Sequence, residues 1–82
     1  MRAARRDTTQ TDIVAALRDA GYLVWVLDQP ADLLVQRRDG TKELLEVKGP
    51  KGRYTAKQME TRAAGWVIPT VRSVEDAFEA LS

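Results

Sequence analysis

Glu46 and Lys48 stand two residues apart in the run Leu44-Leu45-Glu46-Val47-Lys48. On a β-strand their side chains leave the same face of the sheet, while Leu45 and Val47 leave the other. An unpaired ion buried there costs several kcal/mol, so the two charges must be hydrated, matched to each other or bound to a cation. Asp32 is a third candidate, at the start of a preceding apolar run. Two carboxylates a few ångströms apart repel each other, and a hard, oxygen-preferring cation such as Mg²⁺ or Mn²⁺ relieves that repulsion. Such an ion acidifies a bound water and offsets charge on a phosphate, while Lys48 orients the water or stabilises a pentavalent transition state. This chemistry suits phosphodiester hydrolysis. The chain has no His and no Cys, which excludes thiol nucleophiles, imidazole bases, the usual zinc sites and disulfide staples.

Whether Asp32 meets Glu46 depends on the turn between their strands, Leu33 to Arg38 and Lys42 to Lys48. A three-residue loop Arg38-Asp39-Gly40, with Gly40 in the left-handed conformation, sets Arg37 opposite Thr41 and Asp32 opposite Glu46 on one face. A two-residue Asp39-Gly40 turn sets Asp32 opposite Val47 and turns its carboxylate away, unless a bulge intervenes. The proposed chemistry requires the former.

The remaining elements follow from punctuation and period. Thr8 or Thr9 can cap a helix with Ile13, Val14, Leu17 and Ala20 on one face and Gly21 as its stop. Tyr22 to Leu27 reads as a buried strand closed by Asp28-Gln29-Pro30. After the turn-rich Gly49-Pro50-Lys51-Gly52, Thr55 caps a helix carrying Ala56, Met59 and Ala63 to Gly65. Trp66-Val67-Ile68 and Val71 suggest a fourth strand, which Pro69 confines to an edge or a bulge. Ser73, with Asp76 three residues on, caps a last helix whose Val74, Ala77, Phe78 and Leu81 share a face. The order α-β-β-β-α-β-α in 82 residues predicts one small α/β domain, residues 8–82, with a mixed four-stranded sheet flanked by helices. Residues 1–7 form a basic leader and the one candidate for disorder.

The composition, 44% hydrophobic and 30% charged, is that of a folded, soluble chain. No apolar run approaches the ~20 residues of a membrane helix and no signal peptide is evident, so a cytosolic location without membrane contact is expected. Net charge is only +1, yet Lys48, Lys51, Arg53, Lys57 and Arg62 cluster mid-chain while Glu75, Asp76 and Glu79 make the end acidic. One basic surface that grips phosphates is compatible with that balance; a plain solvated face is the alternative. Trp25 and Trp66, in strand-like runs, read as core or partner contacts, since stacking on bases would need them exposed near the site.

Pro30-Ala31-Asp32, then Glu46-Val47-Lys48, then Gln58 resembles the PD-(D/E)XK nuclease superfamily. LLEVKGPKGRYTAKQ, the Trp-Val-Ile run and VRSVEDAFEAL resemble its compact virus-type replication-repair nuclease (VRR-NUC) branch and small phage nucleases. The resemblance spans nearly the whole chain and implies a restriction-endonuclease-like fold and metal-dependent endonuclease activity on DNA, with selectivity for branched structures. It implies that Asp32, Glu46 and the Val47 carbonyl bind Mg²⁺ or Mn²⁺, that Lys48 is the catalytic lysine and that Gln58 lies beside it. It also implies a bacterial or phage-infected cell. Members usually add an acid from the first helix; Gln10 stands on the corresponding side here, and an Ala separates Pro30 from Asp32. A homodimer presenting two sites to a branched duplex is one expectation, because the domain is too small to surround a duplex. A catalytically degenerate module that binds nucleic acid or a protein partner is the alternative.

Overall fold

The computed structural model describes residues 3–82, with side chains from Thr8 onward, so the expectation for the basic leader 1–7 falls outside the described side chains. Seven elements follow in order: α1 (Ala3–Asp19), β1 (Leu23–Val26), β2 (Leu33–Gln36), β3 (Lys42–Val47), α2 (Ala56–Ala63), β4 (Thr70–Val71) and α3 (Val74–Leu81). The four strands form one mixed sheet in the order β1-β2-β3-β4, antiparallel through β3 and parallel between β3 and β4. The element order and the mixed sheet are those expected from the sequence.

The apolar period of α1 places Ile13, Val14 and Leu17 against Val24, Leu33, Val35 and Leu45 of the sheet and Val71, Ala77 and Leu81 beyond it. α1 and α3 therefore cover one face. Ser73 accepts from Asp76 N and starts α3; the Asp76 carboxylate accepts from Arg72 N instead of returning to the cap. α2 begins in a full capping box, with Thr55 accepting from Gln58 N and Gln58 Oε1 accepting from Thr55 N. It has no buried residue of its own. Gln58 and Arg62 attach it to Glu46 and Thr70, which are register partners on β3 and β4. The second face of the sheet is thus covered at its β3–β4 end and open over β1 and β2.

Several expectations need correction. α1 runs through Thr8 and Thr9 and is not capped by them. The 22–27 strand is not buried throughout: it is the sheet edge, with Leu23, Trp25 and Val26 exposed, because Leu23 and Trp25 point to the side that no helix covers while Val24 points into the core. Trp25 and Trp66 are accordingly outside the core. The fourth strand is only Thr70–Val71. Pro69 lacks the N–H that would extend the ladder, though its carbonyl accepts from Glu46 N at 2.9 Å.

Candidate functional site

The β2–β3 hairpin closes through the three-residue loop. Leu33 pairs with Leu45 and Gln36 with Lys42, Arg37 N donates to Thr41 O at 2.8 Å, and Gly40 N donates to Arg37 O at 3.0 Å. Gly40 has φ +90°, a conformation that strains any residue bearing a Cβ. Asp39 reinforces the turn by accepting from Thr41 N and Oγ1 at 2.9 and 2.7 Å. Asp32 lies just beyond β2, where its N–H donates to Leu45 O at 3.1 Å and its carbonyl accepts from Leu27 N at 2.7 Å. Its side chain then does what backbone would do in a longer strand: Oδ2 accepts from Val47 N at 2.8 Å.

Asp32 and Glu46 are brought together. Both line a pocket of about 190 Å³ with Lys57, Gln58 and Thr61. Glu46 is 2% exposed, and among the described residues it is the only charged or polar one that is buried. Gln58 Nε2 donates to Glu46 Oε2, and Lys48 Nζ stands 3.9 Å from the same oxygen. Because the capping box fixes the Gln58 amide by its Oε1, its NH₂ is aimed at Glu46 by the helix start itself. Burial, a hydrogen bond shared with the Asp32 carboxyl and repulsion from Asp32 push the Glu46 pKa up to about 7, against the opposing pull of the Lys48 and Arg62 charges.

A hard cation would meet oxygen donors here. Among the described residues no cluster of three or more carboxylates is present, so the carboxylate contribution is the Asp32–Glu46 pair. A strand residue directs its N–H and C=O to the same side. Val47 N faces Asp32, so the Val47 carbonyl faces it too, past the end of β2. Two adjacent carboxyls plus that carbonyl fit an Mg²⁺- or Mn²⁺-type ion by donor chemistry.

The basic residues divide. Lys57 lines the pocket, and Lys51 and Arg53 are exposed on the loop after β3. Arg62 is engaged inside the fold: Nη2 donates to Ile68 O at 2.7 Å and Thr70 Oγ1 at 2.9 Å, and its guanidinium lies 4.3 Å from the Tyr54 ring centroid. Gln10 is half-buried on α1 and is not among the residues lining the pocket; α1 packs on the opposite face.

Two supports escape a reading of the sequence. Arg72 Nη1 donates to Gly49 O and Gly52 O at 2.7 and 2.9 Å, clamping the loop that carries Lys51. Tyr54 pairs its hydroxyl with Thr70 Oγ1 at 2.5 Å. Neither belongs to a motif or a period; both depend on which loops β4 happens to reach. The clamped loop also explains Gly52, where an added Cβ would lie 3.2 Å from Lys48 Cβ and 3.3 Å from Gly49 N. Gly52→Ala should therefore displace the Lys48 stem and lower stability by about 1–3 kcal/mol, as overpacking does, read from the urea midpoint. An unchanged midpoint would show that the loop does not press on Lys48.

Comparisons with protein families, with curated proteins and with solved structures return no match.

Proposed function

We propose that the protein is a metal-dependent endonuclease that hydrolyses DNA phosphodiester bonds, with a restriction-endonuclease-like arrangement of its sheet and helices. The observation that carries this reading is the juxtaposition of Asp32 and Glu46 in one pocket that Lys57 also lines, with the Lys48 ammonium 3.9 Å from the Glu46 carboxylate. Asp32, Glu46 and the Val47 carbonyl would hold Mg²⁺ or Mn²⁺, which supplies an acidified water and charge neutralisation when bound. Lys48 offers the attacking water or the phosphoryl oxygens a fixed positive charge, while Gln58 holds Glu46 in place by its amide. Lys51, Arg53 and Lys57 offer solvent-facing charges to the DNA backbone.

The reading includes a cytoplasmic location in a bacterial or phage-infected cell; no described helix is long and apolar enough to cross a membrane. It also includes branched DNA as substrate and a homodimer as the working unit. Extents of 34 × 33 × 19 Å give one copy a slab with one Asp32–Glu46 pair, so cutting a junction symmetrically needs two copies. Sizing that finds only monomer under assay conditions would remove the dimer.

The test is cleavage of supercoiled, linear and four-way-junction DNA with Mg²⁺ or Mn²⁺, against EDTA and against Asp32→Ala. Metal-dependent cutting by the wild type, abolished in Asp32→Ala with DNA binding retained, is expected. The position of Gln10 away from the pocket favours a second reading, a degenerate nuclease-fold module that binds nucleic acid or a protein partner. Its signature is metal-independent DNA binding without cutting of any substrate.

A further inference from the structure

The open part of the sheet's second face holds a groove of about 710 Å³ bordered by Leu23, Trp25 and Leu34, with Gln36, Arg18 and Lys42 completing its chemistry. We infer that this groove binds a single-stranded DNA arm, one base stacked on Trp25 and the backbone drawn to Arg18 and Lys42. The choice of DNA rests on the nuclease reading of the neighbouring pocket; the choice of a single strand rests on the groove.

Trp25 is 70% exposed, although a thin-cored domain gains more from burying an indole than any other side chain. Its backbone is held on a strand paired to β2 at Leu34, so the point from which the indole leaves the sheet is fixed. Every base has a face that stacks on such a ring, whatever the sequence. A duplex keeps its base faces covered and would leave the indole without a partner; a single strand does not. The charge is complementary: the charged groups lining the groove are cations. Arg18 is held over the sheet edge by donating from Nη2 to Val24 O at 2.9 Å, which also blocks that carbonyl from pairing with another strand. Lys42 is exposed at the opposite rim.

Trp25 of the groove and Glu46 of the acidic pocket share one face of the sheet. Trp25, Leu34 and Leu44 are in register across three strands, and Glu46 follows Leu44 by two residues on the same face. Strand spacing and rise put Trp25 about 12 Å from Glu46, close enough for one strand to touch both. The pocket would then receive a phosphodiester near the point where a duplex opens.

Trp66→Phe leaves Trp25 as the sole tryptophan and keeps the groove intact. In EDTA, titration of that variant with a 12-nucleotide oligo(dT) is expected to quench Trp25 fluorescence, with affinity falling as salt rises. Trp25→Ala should weaken oligo(dT) binding roughly 5- to 150-fold, the loss typical of one stacked base. Lys42→Ala should lower the magnitude of the log–log salt slope by about 0.7, one phosphate contact on a single strand. Unchanged fluorescence, or a Trp25→Ala protein that binds oligo(dT) like the wild type, would overturn the inference. So would a dimer in sedimentation that Trp25→Ala dissociates, because the face would then belong to a second copy. Since no step needs cleavage, a failure here leaves the nuclease reading standing, and oligo(dT) binding without cutting of any substrate removes only the nuclease reading.

Discussion

Glu46→Gln is expected to make the metal-free protein more stable at pH 8 while abolishing cleavage. The Glu46 carboxyl has an ordinary value of 4.5 and is pushed up to about 7 in the fold, first by burial and then by Asp32. Between those values the folded chain keeps a proton that the unfolded chain has released, so stability declines as pH rises through the window. Below pH 4.5 there is no loss; above about 7 all of it is in place, on the order of 3 kcal/mol at ~1.36 kcal/mol per pK unit. A neutral amide at position 46 can still accept from Gln58 and carries no charge to desolvate, so its stability should be flat across the window. Mg²⁺ should restore the wild type at pH 8, by about 2.7 kcal/mol at one hundred times its Kd, and leave Glu46→Gln unmoved. Urea unfolding in EDTA from pH 4.5 to 8 reads the slope. A wild-type stability that is level or rising across that range would show that the fold does not force Glu46 to hold its proton.

The sequence made the candidate site legible where spacing dictates direction. Glu46 and Lys48 share a face because strand period is two, and Gly40 selected the loop that carries Asp32 to Glu46. Thr55 and Gln58 were legible as separate signals, a cap and a site amide; that one side chain serves both follows only from the placement of α2 beside β3. What the sequence could not convey was coverage. Tyr22 to Leu27 has the composition of a buried strand, yet composition does not say whether a helix exists to bury it, and here α2 is too short and too polar to reach past β3. Arg62 reads as a phosphate grip by charge and proximity in sequence, but its donors go to Ile68 and Thr70, a contact from α2 to β4 and the segment before it that no local pattern announces. Arg72 is the converse, an arginine outside every motif that holds the loop beside Lys48. The acid that the resemblance expects from a first helix does not come from α1, which packs on the other face of the sheet and keeps Gln10 with it; the further acidic residue lining the pocket is Asp28, on the segment after β1, where no motif pointed.

Lys48→Ala is expected to reduce cleavage by about 10²–10³, the loss typical when one fixed electrostatic group is removed from a reaction that develops negative charge. Two distinct roles predict such a loss. Lys48 Nζ lies 3.9 Å from Glu46 Oε2 and its charge pulls the Glu46 pKa down, so removing it raises that pKa and makes the cation harder to bind at neutral pH. Alternatively Lys48 acts on the reacting water or phosphate directly, and its loss persists once the cation is bound. The two separate on pH and metal. If Lys48 served only Glu46, raising pH to 9 and metal to saturation would return the Lys48→Ala rate to that of the wild type, because the carboxyl would be ionised and occupied regardless. A deficit that remains about 10²-fold under those conditions assigns Lys48 to the reaction itself. The second result is expected: the lysine is only 13% exposed, with its stem held against Gly52, and a charge held that firmly is positioned before the reaction begins. Lys48→Arg should recover less than half of the lost rate, since a planar guanidinium on a longer stem cannot occupy the place of a compact ammonium.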